Sequence, residues 1–162
     1  MENGIIIGKL KKEEVDFYSD MISAVFDEFV GIRYSEQGKT TFKDFITSRN
    51  ISKRLTDKNN QFITAKCNDE IIGILETKNN SHISLFFVRK EYHGKGIGKL
   101  LFGVFLESIR DNYNVIKKIT VNSSIFAEKF YAKLGFEKIN GMREKDGIIF
   151  IPMEYSLGSF PE

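Results

Sequence analysis

The stretch His82–Phe105, HISLFFVRKEYHGKGIGKLLFGVF, decides the fold of this 162-residue chain. Its first seven residues are rich in β-branched and aromatic side chains, which predicts a strand buried on at least one face. A basic turn follows with Gly94, Gly96 and Gly98 at alternate positions, and apolar residues then recur at the spacing of a helix over 96–113. A glycine turn that opens a helix leaves backbone N–H groups unpaired at the positive end of the helix dipole. The sequence therefore predicts an anion site at this turn, most often one for phosphate.

Two common phosphate motifs are excluded at this turn. A P-loop needs a glycine five residues before its Gly-Lys pair and a Ser or Thr after it, but this chain has His93 and Leu100 at those positions. A dinucleotide fingerprint G-x-G-x-x-G fails as well, because Lys99 or Leu101 stands where the last glycine belongs. The remaining alternatives are an anion site of another pattern and a loop that merely turns the chain.

One spacing does fit, namely [Arg/Gln]-x-x-Gly-x-[Gly/Ala], with His93, Gly96 and Gly98 in its three slots. The stretch resembles the pyrophosphate-binding motif of the GNAT superfamily of acyl-CoA-dependent N-acyltransferases. A second motif, AxxFYxxxGF over 127–136, is similar to that family's signature for the helix after the fifth strand. Two motifs in the right order and at the right separation are more specific than either alone. The chain departs from the family in having His93 for Arg or Gln, and Ser124 where Asn is frequent.

Periodicity and turn residues predict the remaining elements. Their order is a strand over 4–10, a helix from Glu13 to about Gly31, a loop over 31–40, a helix from Thr41 through Arg54, strands over 61–67, 70–77 and 82–88, the helix 96–113, a strand over 117–122, a helix over 125–134, and strands over 136–142 and 148–157. Thr41 and Asp44 match a capping box. Ser123 or Ser124 is the predicted cap of the last helix, which ends at Gly135.

These elements predict one mixed α/β domain over 1–162. Two-residue hairpin turns are expected at Asn68-Asp69 and Asp146-Gly147. The three consecutive strands over 61–67, 70–77 and 82–88 therefore form an antiparallel meander, and the strand–helix–strand unit that follows predicts one parallel crossover, with 117–122 as the neighbour of 82–88. This order also resembles the GNAT fold over nearly the whole chain. The resemblance implies that the two parallel strands splay apart and that the pantetheine arm of the cofactor lies in the opening.

Composition excludes several classes of protein. The net charge of +2 is too small to predict nucleic acid as the main partner, and the single cysteine, Cys67, excludes a disulfide framework or a cysteine metal cluster. His82 and His93 are the only histidines and lack metal-ligand spacing, so no metal is expected. No segment resembles a signal peptide or approaches membrane-spanning length. We therefore expect a cytoplasmic monomer or homodimer.

The resemblance implies an acetyl-CoA site around the strand–turn–helix unit. The pantetheine arm would bond to the strand backbone, and the pyrophosphate to the N–H groups of the turn. The implied cofactor residues are Phe86, Phe87, Val88, His93, Gly94, Lys95, Gly96, Ile97, Gly98, Lys99, Ser124 and Tyr131. His93 is a weaker phosphate partner than Arg because it is mostly uncharged at neutral pH. Lys95 and Lys99 could offset this difference, unless they are simply solvated.

Acyl transfer to an amine needs a neutral nucleophile, a polarised thioester carbonyl and an acceptable thiolate leaving group. The resemblance places the Tyr131 phenol near the departing sulfur, and the alternative is a tyrosine of the core. A phenol pKa of ~10 against a thiol pKa of ~8.5 makes complete proton transfer uphill by roughly 2 kcal/mol, which favours a hydrogen bond to the sulfur. A backbone N–H near Phe87 or Val88 would polarise the carbonyl.

The general base has several candidates. An amine of pKa ~10.4 is protonated at pH 7, so a group must remove a proton directly or through water. Glu76 and His82 are the candidates, because they lie near the ends of adjacent strands, and Glu28 is a remoter one. A lone histidine at a strand end is more often structural or exposed, so the base remains open at this point.

The sequence thus predicts an N-acetyltransferase that moves an acetyl group from acetyl-CoA to a primary amine by direct attack in a ternary complex. A small-molecule acceptor is the first expectation, and a protein N-terminus or lysine is the second. The acceptor wall should come from 26–58, where a deep acidic pocket would favour a polyamine and an open groove a protein. A non-catalytic module that senses acyl-CoA is the alternative from another class. A nucleotide-hydrolysing enzyme is weaker, because the chain lacks a Walker lysine-serine pair.

Overall fold

A mixed sheet runs through the protein, with helices packed on both of its faces. The computed structural model describes residues 4–158, so the predicted domain over 1–162 extends past the described residues at both ends. In chain order the elements are β1 (Ile5–Lys9), α1 (Val15–Val25), α2 (Glu36–Phe45), α3 (Ser48–Leu55), β2 (Asn60–Cys67), β3 (Glu70–Lys78), β4 (His82–Val88), α4 (Ile97–Ser108), β5 (Lys118–Ser123), α5 (Glu128–Leu134), β6 (Glu137–Lys138), β7 (Arg143–Lys145) and β8 (Ile148–Ser156). A π-helical turn, Phe26–Val30, extends α1.

The strand order is β1-β2-β3-β4-β5-β8-β6, with β7 paired to β8. Every pair is antiparallel except β4 with β5, which α4 joins as a crossover. The predicted fold, an antiparallel meander followed by one parallel β-α-β unit, is confirmed. Both hairpin turns are confirmed too, since their four residues Asn68, Asp69, Asp146 and Gly147 all have positive φ, as a type I′ turn requires.

The parallel pair β4–β5 diverges almost as soon as it forms. His82 pairs with Thr120 and Ile83 with Val121, and no further pairs follow. On the other side of β4, Ile83 pairs with Thr77 and the next pair on β3 is formed by Leu85, so Ser84 is an extra residue in β4. A β-bulge of this kind bends its strand and increases the local twist. The bulge therefore lies at the point where β4 turns away from β5.

The sheet separates two apolar cores. One core lies under α4 and α5 and includes Leu101 and Phe105, and the other lies under α1 and α3 and includes Tyr18 and Ile51. Successive strand residues face opposite sides of a sheet, and Ser84 shifts this alternation by one residue. Ile83 consequently joins the first core and Leu85 the second. A break between β4 and β5 therefore connects the two faces of the protein.

The predicted loop over 31–40 and the predicted helix start at Thr41 are wrong. Helix α2 begins at Glu36, because the Ser35 hydroxyl accepts a hydrogen bond from the Gly38 N–H at 3.1 Å. This helical position requires a glycine, because a Cβ on Gly38 would lie 2.2 Å from the carbonyl oxygen of Gly147. Thr41 instead donates its hydroxyl to backbone carbonyls, among them that of Asp146 at 2.9 Å. The predicted capping box is therefore a contact with the β7–β8 hairpin.

Four other boundaries differ from prediction. The helix predicted from Thr41 through Arg54 is two helices, and the second starts where the Thr47 hydroxyl accepts from the Asn50 N–H. Ser124 caps a turn that precedes α5, and the helix ends at Gly135 as predicted, with φ +109°. The predicted strand over 136–142 is broken into β6 and β7. Helix α4 stops at Ser108, short of the predicted end at 113.

A buried ion pair fastens α2 and α3 to the sheet. The Glu76 carboxylate on β3, 1% exposed, accepts from Arg54 Nε at 3.0 Å and from Nη2 at 3.3 Å. Arg54 also donates Nη1–H to the carbonyl of Phe45 at 2.7 Å, and its guanidinium lies 3.7 Å from the centre of the Phe45 ring. Burial raises the pKa of Glu76, and Arg54 opposes that rise.

We expect the substitution Arg54→Met to lower the free energy of unfolding by about 3 kcal/mol or more, because it leaves a buried carboxylate unpaired. Without the guanidinium, burial raises the pKa of Glu76 further. The folded chain then holds a proton that the unfolded chain releases above a pKa of about 4.3, so stability falls as pH rises through this window. Urea unfolding should therefore show a smaller loss at acidic pH than at neutral pH.

The matched control is Arg110→Met, which removes an arginine from an exposed pair with Glu107. Its effect should stay within about 1 kcal/mol at either pH. An equal loss for Arg54→Met at acidic and neutral pH would contradict the assignment of the effect to Glu76.

Candidate functional site

A cleft of about 570 Å³ opens where β4 and β5 diverge, within the volume range of small-molecule sites. Its lining comes from both faces of the sheet. The lining residues are Val25, Val30, Tyr34, Phe42, Ile83, Ser84, Leu85, Phe86, Phe87, Val88, Tyr92, His93, Gly94, Gly96, Ile97, Gly98, Lys99, Val121, Asn122, Ser124, Phe126, Ala127, Phe130, Tyr131, Lys133 and Leu134. The cleft thus contains every residue of the predicted cofactor set except Lys95.

The glycine turn forms one edge of the cleft. Gly94 and Gly96 have φ of +75° and +83°, a region that other residues rarely adopt. Gly96 is the N-cap of α4, so the N–H groups of Ile97, Gly98 and Lys99 have no acceptor within their own helix. These groups lie in the cleft lining at the positive end of the helix dipole. The turn therefore presents backbone donors to the cleft, as the sequence predicts.

Gly98 has a separate role in packing. A Cβ on Gly98 would lie 2.6 Å from Cζ of Phe130, which is closer than real contacts allow. The Phe130 ring in turn meets Phe86 edge-on, with 5.1 Å between ring centres. Gly98 therefore allows α4 and α5 to close around β4 on this side of the cleft.

The backbone of β4 alternates between its neighbour and the cleft. The Arg89 N–H donates to the Ile72 carbonyl on β3 at 2.8 Å. In an antiparallel ladder the next residue to face β3 is Phe87, so the backbone groups of Phe86 and Val88 face the opening. This side of the strand has no β5 partner beyond Ile83. Its N–H and C=O groups are therefore available to an extended ligand.

His93 already uses one of these groups. Its Nε2 lies 2.7 Å from the Val88 carbonyl oxygen, and since a carbonyl only accepts, Nε2–H is the donor. The His93 ring also packs against Phe29, with 5.1 Å between ring centres. Only Nδ1 remains for an anion, and Nδ1 carries a proton only when the imidazole is charged. His93 thus holds the turn against the end of β4.

Tyr131 lies in the cleft and is 5% exposed. Its ring is surrounded edge-on by Phe86, Phe130 and Phe136, at 5.3 to 6.1 Å between centres. Its hydroxyl makes no hydrogen bond to any residue within 4–158. Burial raises the pKa of Tyr131 well above its ordinary value, so the phenol stays protonated. The cleft therefore contains an uncommitted hydroxyl donor.

The predicted bases lie outside the lining. The His82 Nδ1 is 2.8 Å from Thr120 Oγ1, at the end where β4 and β5 still pair, and burial lowers the His82 pKa, with Lys78 adding to the effect. Glu76 is held by Arg54, as described above. Glu28 pairs through its carboxylate with Lys90 at 2.7 Å. The structure therefore brings Tyr131 and the turn together but places none of the three bases in the cleft.

Several lining residues escaped sequence reasoning. Tyr34 lies on the segment between α1 and α2 and lines the cleft, but it belongs to neither of the two sequence motifs. Asn122 is the exposed residue beside the end of β5 and Phe126 follows that strand, at the end that diverges from β4. Position after a diverging strand is the signal that could have identified them.

Neither a membrane-spanning helix nor a cluster of metal-binding side chains is found in residues 4–158. Within 4–158 no helix is both long and apolar enough to cross a membrane. The same part of the chain contains no group of three or more His, Cys, Asp or Glu residues arranged to hold a metal ion.

Comparison with known proteins agrees with this geometry. A family model described as an acetyltransferase (GNAT) domain matches residues 30–157. The fold is similar to a GCN5-related N-acetyltransferase from Rhodopseudomonas palustris, with TM-score 0.80 and 19% identity over 97% of this chain and 98% of the other.

It is also similar to the PaiA N-acetyltransferase of Thermoplasma acidophilum in complex with coenzyme A, with TM-score 0.74 and 22% identity over 94% and 99% of the two chains. A GNAT acetyltransferase from Staphylococcus aureus Mu50 has TM-score 0.75 and 20% identity over 96% and 100%. At these identities the solved structures establish the shared fold.

The packing of Gly98 leads to a prediction with a control in the same helix. We expect Gly98→Ala to lower the melting temperature, because the new methyl group displaces Phe130. Gly103→Ala should raise stability by about 0.5–1 kcal/mol, because a Cβ there meets no atom within 4 Å and alanine is the better helix former. Thermal unfolding of both variants measures the difference. Equal stabilisation by the two substitutions would show that Phe130 yields without cost.

Proposed function

The chain belongs to the GNAT acetyltransferase family, and from this premise we propose that it transfers an acetyl group from acetyl-CoA to a primary amine by direct attack in a ternary complex. One observation carries the proposal. The cleft passes through the sheet between β4 and β5, so a cofactor bound on the α4–α5 face and an acceptor on the α1–α2 face would meet inside it.

The cofactor side follows from the donors already described. The pyrophosphate would accept from the N–H groups at the start of α4, where the helix dipole favours an anion. The pantetheine amides would pair with the open backbone groups of Phe86, as an added strand does, because the Val88 carbonyl already accepts from His93. Lys99 lines this end of the cleft and is exposed, so its ammonium can reach a phosphate from solvent.

The reaction needs one bond formed and one broken. The amine nitrogen attacks the thioester carbonyl carbon, the C–S bond breaks, and CoA leaves as a thiol. The N–H of Val88 faces the opening and is our candidate for polarising the carbonyl, whereas Phe87 faces β3. Tyr131 donates a hydrogen bond to the departing thiolate and keeps its own proton, and the thiolate takes a proton from solvent to become the thiol.

The proton of the amine leaves by way of water. Within residues 4–158 no aspartate or glutamate belongs to the cleft lining, so we assign that proton to water rather than to a carboxylate of this part of the chain. An apolar environment lowers the pKa of a bound amine and thereby raises the fraction that arrives as a nucleophile. The alternative of a module that only senses acyl-CoA has no use for the uncommitted Tyr131 hydroxyl, which is why we favour the enzyme.

Cofactor binding is tested by thermal unfolding with acetyl-CoA, free CoA, ATP and NAD at equal concentrations. A ligand at a hundred times its dissociation constant stabilises the folded state by ~2.7 kcal/mol, which is easily seen in a domain of this size. We expect both CoA forms to raise the melting temperature and the other two ligands to have no effect. A chain that responds to ATP or NAD and not to CoA would not be an acyl-CoA enzyme.

Tyr131→Phe tests the proposed acid. The variant loses a hydroxyl that makes no hydrogen bond within 4–158, so its melting temperature should stay unchanged, while kcat should fall by about 10²-fold. In the wild-type protein Tyr131 should cause no loss of kcat up to pH ~10, because its pKa is raised above that ordinary value.

Tyr113→Phe is the matched control for this test. The Tyr113 hydroxyl donates to the Leu106 carbonyl at 2.8 Å and lies outside the cleft lining. The control should keep its kcat. Undiminished turnover by Tyr131→Phe would remove the acid assignment, and loss of CoA stabilisation in that variant would instead indicate a binding role.

A further inference from the structure

One wall of the cleft is apolar and aromatic. It lies on the α1–α2 face, where the acceptor would enter, and we call it the aromatic wall. It consists of Val25, Val30, Tyr34, Phe42, Phe87 and Phe126. Four different parts of the chain contribute to it: the end of α1 with the segment that leads to α2, helix α2 itself, strand β4, and the turn after β5.

The rings of this wall are fixed by one another. Phe42 stacks on the buried Phe26 with 4.0 Å between ring centres and 12° between planes, and it lies 5.9 Å from Phe87. Tyr34 meets Phe26 edge-on at 5.2 Å. Phe126 stacks against Phe29 at 5.1 Å. A wall of mutually packed rings has its shape before a ligand arrives, which reduces the entropy lost on binding.

The carboxylates nearest the wall are already paired. Asp27 and Glu28 lie on the π-helical turn between two wall residues, but Asp27 contacts Lys43 Nζ at 2.7 Å and Glu28 contacts Lys90 Nζ at 2.7 Å. Neither belongs to the cleft lining, and no other acidic residue within 4–158 does. On binding here, a polyamine, an aminoglycoside or a basic peptide would therefore lose the water around its several ammonium groups. The aromatic rings would replace that water, and no carboxylate would compensate for the loss.

The neutral polar groups in the cleft suit a single amine. Ser84 and Asn122 lie where β4 and β5 diverge and offer uncharged hydrogen-bond partners to one nitrogen. The Tyr34 hydroxyl stays protonated, because burial raises the pKa of Tyr34. Aromatic faces pack favourably against an aromatic ligand body and also tolerate one ammonium group on arrival.

We infer that the acceptor is a monoamine with an uncharged aromatic body, held against the aromatic wall with its nitrogen directed to the opening between β4 and β5. This inference rests on the proposed function. It assigns the aromatic wall to the acceptor and excludes polycationic acceptors from this site.

The chain has no tryptophan, which allows binding to be measured without turnover. Tryptamine, excited at the red edge of its indole band, would be the only strong emitter in a mixture with the protein and free CoA. We expect a saturable change in its emission, displaced by phenethylamine and not by spermidine. In turnover with acetyl-CoA, kcat/KM for tryptamine should exceed that for spermidine by about 10²-fold.

Each outcome of this assay has a distinct meaning. If tryptamine binds but is not acetylated, this would contradict the proposed function and leave the assignment of the aromatic wall to an aromatic amine unchanged. Faster acetylation of spermidine, or no tryptamine binding, would overturn the inference while acetyl transfer stands. A preference for long-chain acyl-CoA without tryptamine binding would assign the aromatic wall to the acyl chain, and this would also overturn the inference about the acceptor.

Phe42→Leu tests the wall itself. The substitution keeps an apolar side chain but removes the ring, so tryptamine affinity should fall about tenfold while the CoA dissociation constant stays unchanged. The matched control is Phe17→Leu on α1, whose ring is 69% exposed and lies outside the cleft lining. Unchanged tryptamine affinity in Phe42→Leu would contradict the inference, and the CoA measurement confirms that the variant is folded.

Discussion

The pairing of β4 with β5 stops after Ile83, and the rest of the site depends on that divergence. Two parallel strands that stayed paired would bury their backbone groups and close the sheet between the two cores. The extra residue Ser84 bends β4 away, and this exposes the N–H and C=O groups of Phe86 and Val88. The same gap connects the α4–α5 face with the α1–α2 face. A single bulge therefore supplies both a backbone template and a passage between two sites.

The glycine turn has more than one physical task. Gly94 and Gly96 adopt the left-handed backbone that aims N–H groups into the cleft, whereas Gly98 is helical and leaves room for the Phe130 ring. The spacing of these glycines is visible in the sequence, but the neighbour of Gly98 lies on another helix. His93 is similar in this respect. Its Nε2–H donates to the Val88 carbonyl, so a neutral His93 imidazole has no second N–H for a phosphate. Its role is to hold the turn against the end of β4.

The sequence predicts what depends on local chemistry and fails where a distant contact decides. Asp146-Gly147 and Gly135 have backbone conformations that few residue types adopt, so the residue types alone predict these turns. Helix α2 starts at Glu36, with Ser35 as its N-cap, rather than at Thr41. Its Gly38, which weakens the helical pattern in the sequence, is required by a hairpin more than a hundred residues away. The ion pair of Glu76 with Arg54 is another contact that the sequence does not predict, because Arg54 comes from a helix whose place on the sheet no local pattern reveals.

Exclusion of water accounts for the two protonation states that the proposed chemistry needs. Acyl transfer requires a protonated acid at the sulfur and an unprotonated amine at the carbonyl, and a single pH cannot favour both in bulk water. Burial disfavours the charged form of each group, so it raises the pKa of the Tyr131 phenol and lowers that of an amine in the same cleft. A carboxylate in the lining would hold the amine as an ammonium ion and oppose this effect. Asp27 and Glu28 pair with lysines outside the cleft, which leaves the lining without the charge of either carboxylate, as the proposed reaction requires.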